Sequence, residues 1–149
     1  AGVRQILQFD ASGLVAYDAG SGAVLWHVEW KTDFDINAAQ PVVLSDNRIF
    51  LTSGAGAAML RVAHSDAEWQ VEELWKNRNL KASYANVIHR DGFLYGLDNG
   101  ILACLNAETG QRAWKKGRYG HGQLLLTGDL LVILSEKGEL ALVEATPEA

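Results

Sequence analysis

Side chains suited to chemistry are few and scattered in this chain. Histidines stand at His27, His64, His89 and His121. No two share the i, i+2 or i, i+4 spacing that turns a pair of imidazoles onto one metal ion. Cys104 is the only cysteine, which excludes an internal disulfide and a cysteine-rich zinc site. It sits in an alternating run and reads as a small apolar packing residue. Glu136 and Glu139 flank a turn and read as solvated carboxylates rather than a general acid–base pair. Gly20-Ser21-Gly22 and Gly54-Ala55-Gly56 are glycine-rich, but neither opens a helix, so neither reads as a phosphate cradle. Any binding chemistry must therefore come from polar residues brought together by the fold.

The composition bounds that fold. The chain has 149 residues, 48% hydrophobic and 21% charged, with a formal charge of −5. A domain of this size buries roughly 68–70% of its unfolded surface, and such a composition excludes disorder. Mild acidity without a basic run excludes nucleic acid as a partner, since phosphate neutralisation needs clustered Lys and Arg. No apolar run approaches the roughly 18 residues of a membrane span. The first residues, Ala1-Gly2-Val3-Arg4, show no basic-then-apolar leader, so the chain as it stands carries no signal peptide. It is either a mature product or a piece of something longer.

The elements repeat. Leu14–Trp26 (LVAYDAGSGAVLW) and Leu102–Trp114 (LACLNAETGQRAW) align without a gap, 88 residues apart, or two units of 44. Between and after them, the segments around Asp46, Asp91 and Asp129 each read as strand, tight turn, strand, tight turn. The spacing predicts four-stranded antiparallel units: PVVLS, RIFLT, AMLRVA and VEELWK in the second, ANVIH, FLYGL, ILACLN and QRAWKK in the third. The second unit has a longer connection near Ser65–Trp69, and Asp66–Glu73 is the one stretch where a helical turn could hide. The first unit lacks an initial strand and the last lacks a final one, a count of 3 + 4 + 4 + 3. A four-stranded repeat of this length is the blade of a β-propeller. The expected fold is all-β, a partial propeller of about three and a half blades, spanning 4–30, 41–76, 85–116 and 123–145. Such an arc leaves apolar faces at both ends, for the remaining blades of a larger ring or for a second copy of the chain.

Two segments fit one pattern, A-x-D-x-x-x-G-x-x-x-W. The first runs through Ala16, Asp18, Gly22 and Trp26. The second runs through Cys104, Asn106, Gly110 and Trp114, with Cys for Ala and Asn for Asp. The second unit has no clean copy. The pattern resembles the tryptophan-docking motif of PQQ-type propeller repeats, a superfamily that includes eight-bladed quinoprotein alcohol dehydrogenases and BamB-like lipoproteins. The physical reading stands beside it. Gly22 and Gly110 supply the positive φ of a turn, Asp18 and Asn106 bond its backbone, and each Trp packs on the next blade. The resemblance implies membership of up to an eight-bladed ring and an extracytoplasmic, periplasmic setting. It implies a non-catalytic scaffold for a protein, peptide or glycan; the alternative is a fragment of a PQQ-dependent oxidoreductase. Quinoprotein dehydrogenases carry an adjacent Cys-Cys ring and Glu, Asn and Asp around Ca²⁺. This chain has no Cys-Cys pair, so neither PQQ nor calcium is supported here.

Aligning the units on Asp46, Asp91 and Asp129 places 37–40, 82–85 and 120–123 at equivalent positions, each entering an innermost strand. Asn37, Gln40, Ser83, Tyr84, His121 and Gln123 are polar where the following strands are apolar, and Arg118 and Tyr119 lie just upstream. These eight residues are the candidate partner surface, expected at one mouth of the central channel. The alternative is ordinary water-bridged loop polarity.

Overall fold

A computed structural model describes residues 2–65 and 68–148. Its strands form four antiparallel sheets, each a simple meander. The first holds β1 (Gln5–Asp10), β2 (Gly13–Asp18) and β3 (Val24–Glu29). The second holds β4 (Val42–Val43), β5 (Arg48–Ser53), β6 (Gly56–Ser65) and β7 (Glu68–Asn77). The third holds β8 (Ile88–Arg90), β9 (Phe93–Asp98), β10 (Ile101–Asn106) and β11 (Arg112–Arg118). The fourth holds β12 (Gln123–Thr127), β13 (Leu130–Leu134) and β14 (Leu140–Glu144). The chain is all-β, a partial propeller with a 3 + 4 + 4 + 3 strand count. Among the described residues no helix is long and apolar enough to cross a membrane.

Turn chemistry sets the meander. Asp46-Asn47 and Asn99-Gly100 have positive φ at both central positions, the backbone of tight hairpin turns whose twist matches the strands they join. The innermost strands are shorter than the apolar runs suggest. Pro41 opens the first of them with no amide hydrogen to donate, and pairing is confined to Val42↔Phe50 and Val43↔Ile49. The extra residues of the second unit extend a hairpin. β6 and β7 pair out to Ser65↔Glu68, and His64 stacks on Trp69 at 4.2 Å between centroids. From Glu68 onward this stretch is strand; Asp66 and Ala67 lie outside the described residues. A short 3-10 turn occurs instead at Asp33–Asp35, in the connection from β3 to β4.

Three apolar clusters fill the three sheet–sheet boundaries. Leu14, Ala16 and Trp26 meet Leu51, Ala58 and Leu60; Phe50, Met59 and Leu80 meet Leu94, Ala103 and Leu105; Tyr95, Cys104 and Trp114 meet Leu124, Leu131 and Ile133. A Trp on each outer strand stands opposite a small or sulfur-bearing residue of its neighbour: Ala16↔Trp26, Met59↔Trp75 and Cys104↔Trp114. The second sheet thus has a Trp at the same place, although its flanking sequence lacks the full pattern.

The indole N–H groups of Trp26, Trp75 and Trp114 each have a partner, and the partners differ. Trp75 donates to the Ala107 carbonyl of the third sheet at 3.0 Å. Trp114 reaches the Thr146 carbonyl at 2.9 Å. Trp26 donates to Gln5 Oε1 within its own sheet, at 2.9 Å. Burying one such indole removes about 150–250 Å² from water, roughly 4–6 kcal/mol before entropy is counted. Beneath Trp75 lies Gly110, at φ +68, where a Cβ would fall 2.6 Å from the indole ring and 2.5 Å from Asn77 Nδ2. The turn it closes is tied by Asn106, whose Oδ1 accepts from the Glu108 and Thr109 amides. Asp18 ties the equivalent turn of the first sheet through the Gly20 and Ser21 amides, but open space surrounds the Cβ position of Gly22.

These two glycines separate backbone strain from packing. Gly22→Ala should cost about 1–2 kcal/mol, the left-handed penalty alone. Gly110→Ala adds overpacking of about 1–3 kcal/mol. Urea unfolding of both variants measures the difference, and equal losses would show that Trp75 does not bear on Gly110.

Candidate functional site

Connections that lead into the innermost strands, residues 30–41, 78–87 and 119–122, share one end of the arc with the β1–β2, β5–β6, β9–β10 and β13–β14 turns. Backbone bonds lock the two sets together. Asn99 N–H donates to the Lys81 carbonyl at 3.1 Å, Tyr119 N–H to Gly100 at 2.7 Å and Glu136 N–H to Tyr119 at 2.8 Å. Polar residues of different sheets therefore meet here, on backbone rather than on mobile loop.

Ser83, Tyr84 and His121 come together. They line one small cavity with Lys81, Asn99 and Gly120. The Tyr84 ring meets the His121 imidazole edge to face, 5.3 Å between centroids, and Tyr84 is exposed. Gln123 Nε2 donates to the Tyr84 carbonyl at 3.4 Å, and Glu136 Oε2 accepts from the His121 amide at 3.1 Å. Gln40 is exposed, its backbone N–H donating to Asn86 Oδ1 at 3.4 Å.

The other candidates stand apart. Asn37 is buried and its Nδ2 donates to the Asp10 and Trp30 carbonyls at 2.8 and 3.0 Å. It ties a connection to the first sheet instead of facing solvent. Arg118 and Tyr119 line a second cleft with Ser135, Glu136, Lys137 and Glu139.

Another cleft, of about 410 Å³, adjoins the Tyr84 cluster through Ser83 and Tyr84. Ser83 and Tyr84 form one wall, Gly54 and Ala55 another, and Lys31, Asp33 and Arg78 supply charge. None of these last five residues carries a motif. Their common signal is position, because they lie in connections that open toward the same end.

Behind this end sits Asp98, fully buried. Its carboxylate receives Lys81 Nζ at 2.8 Å, Lys115 Nζ at 2.5 Å and Arg112 Nη2 at 3.1 Å, and the Lys81 amide at 3.0 Å. Burial alone would raise its pKa, but the hydrogen bonds from Lys115 and Lys81 outweigh burial and hold it below the ordinary value. Cys104 is also buried, which pushes its thiol up to about 11 despite a hydrogen bond with Tyr95. A thiol so placed is not a nucleophile near neutral pH. Among the described residues no three His, Cys, Asp or Glu side chains are grouped to hold a metal ion, and the buried Asp98 carboxylate is taken up by three cations.

Asp98 gives the chain an acid dependence of definite sign. The folded-state pKa lies below the unfolded value of about 3.9. Its stabilisation is therefore present above that value and is lost as pH falls through the folded pKa. Asp98→Asn should cost about 3–5 kcal/mol at pH 7, because three cations lose their one buried counter-charge. The variant should also lose less stability between pH 5 and 3 than the parent does. Denaturant titrations at both pH values check this, and parallel acid losses in the two proteins would rule out the assignment.

Comparison with known proteins agrees with this architecture. A family model described as outer membrane protein assembly factor BamB matches residues 1–116. No curated protein sequence matched. Among solved structures, BamB from Moraxella catarrhalis superposes with a TM-score of 0.65 at 17% identity, covering 95% of this chain and 46% of that one. The computationally designed Ika4 protein gives 0.71 at 13% identity, covering 94% and 84%. The designed Ika8 protein gives 0.66 at 14% identity, covering 97% and 43%. This chain thus spans about half the length of the BamB structure it matches. With more than half of its residues matched by one family model and the same blades found in its neighbours' folds, the chain belongs to the BamB family of PQQ-like β-propeller repeats.

Proposed function

We propose that this chain is a non-catalytic scaffold that holds a protein, peptide or glycan partner at the mouth of its channel, in an extracytoplasmic compartment. The observation that carries the reading is the Ser83–Tyr84–His121 cluster. An exposed tyrosine rests edge-on against an imidazole, on connections fixed by backbone hydrogen bonds between sheets. Rigid aromatic side chains with a polar tip give large contact area at small entropic cost. Gln123 borders the cluster, and its side-chain amide is of the kind that bonds a peptide backbone or a sugar hydroxyl. The family name, an outer membrane assembly factor, supports the compartment. Trp75 over Gly110, and the matching placement of Trp26 and Trp114, support reading the indoles as clasps between blades rather than as ligand platforms.

The reading involves no quinone. Among the described residues no three His, Cys, Asp or Glu side chains are grouped to hold a metal ion, and Cys104 is buried against Tyr95.

Two measurements test the proposal. A photo-crosslinking side chain placed at Gln123 should trap one discrete partner. Tyr84→Ala and His121→Ala should each cut that adduct by about tenfold, the usual scale of an interface anchor, with unchanged circular dichroism. Undiminished adduct in both variants would move the site away from the mouth. Titration with PQQ and Ca²⁺ should leave tryptophan fluorescence unsaturated; saturable quenching would favour the oxidoreductase reading.

A further inference from the structure

The 410 Å³ cleft beside Tyr84 lies inside the arc. Its walls are the connection from the first sheet to the second, the β5–β6 turn and the connection from the second sheet to the third. All of its lining residues fall between Lys31 and Tyr84, so neither the outer face of the first sheet nor that of the fourth contributes to it. Its volume falls within the roughly 300–1,000 Å³ of ordinary binding clefts.

Charge is unevenly placed around this cleft. Arg78 lines it and is exposed, and among the described residues its guanidinium has no ion pair or hydrogen bond. Three more cations stand close by. Lys81, Arg112 and Lys115 share the single carboxylate of Asp98, which leaves a surplus of two positive charges. The trio is fastened to the segment that carries Arg78. Lys81 Nζ donates to the Arg78 carbonyl at 3.1 Å, and Arg112 Nη2 to the Asn79 carbonyl at 2.7 Å. Their side chains are between 16% and 33% exposed, so salt screens the surplus less than it screens an open surface charge. A chain of net charge −5 thus keeps a concentrated positive site at its mouth. The acids of the cleft belong to the other connection. Asp33 lines it with Asp35 next along the chain, and Lys31 is paired with Glu29 at 2.9 Å. A carboxylate entering the cleft is repelled there and drawn to Arg78, on the connection where Ser83 and Tyr84 carry hydroxyl donors.

The acidic connection also offers apolar contact. Phe34 is 92% exposed. Its backbone is left-handed, with φ 61 and ψ 18, a conformation that bulky L residues seldom adopt. The Asp35 N–H donates to the Thr32 carbonyl at 3.2 Å and Thr32 Oγ1 to the Ile36 carbonyl at 3.0 Å, which holds the turn in that shape. Backbone strain of this kind collects at ligand clamps. Here it presents an aromatic ring to solvent between Asp33 and Ile36, both in the cleft lining.

We infer that the partner held at the mouth is a protein with an acidic segment, whose carboxylate sits at Arg78 while a neighbouring apolar side chain packs on Phe34. This rests on the mouth reading above and names the chemistry of the partner. Charge complementarity selects the occupant. A neutral glycan leaves the cationic surplus unanswered, and a small inorganic anion makes no use of Phe34. Arginine holds a carboxylate through two parallel N–H donors, a geometry that lysine lacks.

Fluorescence anisotropy tests this, with a peptide of Glu, Leu and Ser carrying an uncharged dye, beside the same peptide with Lys at every Glu. The Glu peptide should bind saturably and more weakly as salt is raised. The Lys peptide should bind at least about tenfold more weakly, and Arg78→Glu should weaken the Glu peptide by a similar factor. Arg78→Lys should cost less than Arg78→Glu, and Phe34→Ala severalfold. Both positions are exposed, so circular dichroism should not change. Absence of saturable binding by the Glu peptide, equal binding of the Lys peptide, or an Arg78→Glu variant as tight as the parent would each overturn the inference. So would tighter binding of inorganic phosphate or oligogalacturonate than of the peptide, since that assigns the site to a free anion or an acidic glycan. The mouth is judged separately. If Tyr84→Ala still cuts the Gln123 adduct while the Glu peptide fails to bind, the mouth stands and the acidic partner falls.

Discussion

Everything in this molecule depends on one sheet covering the face of the next. A three- or four-stranded meander has two sides and no core of its own, so strands alone do not stabilise it. Stability arises at the three boundaries, where the Trp26, Phe50–Met59 and Tyr95–Cys104 sets are shut away from water. The indoles are the largest pieces of that surface, and each satisfies its N–H so that burial carries no unpaired donor. Quasi-one-dimensional architectures of this kind derive their stability from nearest-neighbour terms.

The same arrangement positions the candidate site. Chain leaving one outer strand must cross to the innermost strand of the next sheet, and it is stitched there by the turns it passes. Asn37 holds the first crossing to Asp10 and Trp30. Asp98 holds the second through Lys81. Glu136 and Gly100 hold the third. Ser83, Tyr84 and His121 sit on these braced crossings, so their mutual geometry follows from sheet packing.

Much of the fold was legible because turns and repeats are local. Asn-Gly and Asp-Gly turns, period-two apolar runs and two copies of the Asp/Asn–Gly–Trp spacing suffice for four sheets with a 3 + 4 + 4 + 3 strand count. Trp75 was harder to place. The long β6–β7 hairpin sets it 49 residues after Trp26 and 39 before Trp114, so no fixed period finds it, and only the Met59↔Trp75 register reveals its equivalence. The polar positions were legible as a class but not individually. Asn37 and Gln40 look alike in sequence, yet one is buried on backbone carbonyls and the other is exposed. Whether an amide meets backbone or water depends on residues far along the chain, as do Lys31, Gly54 and Arg78, which share a cleft without sharing a motif.

If neighbour-covered faces are the source of stability, a single blade has none. The most direct test is to excise residues 80–118, the complete third sheet with its entering connection, and compare it with the whole chain by circular dichroism and thermal melting. The account predicts a disordered peptide with no cooperative transition, beside a parent that melts cooperatively. A monomeric peptide with strand signal and a sharp melt would show that the sheet stands alone, and would contradict the account.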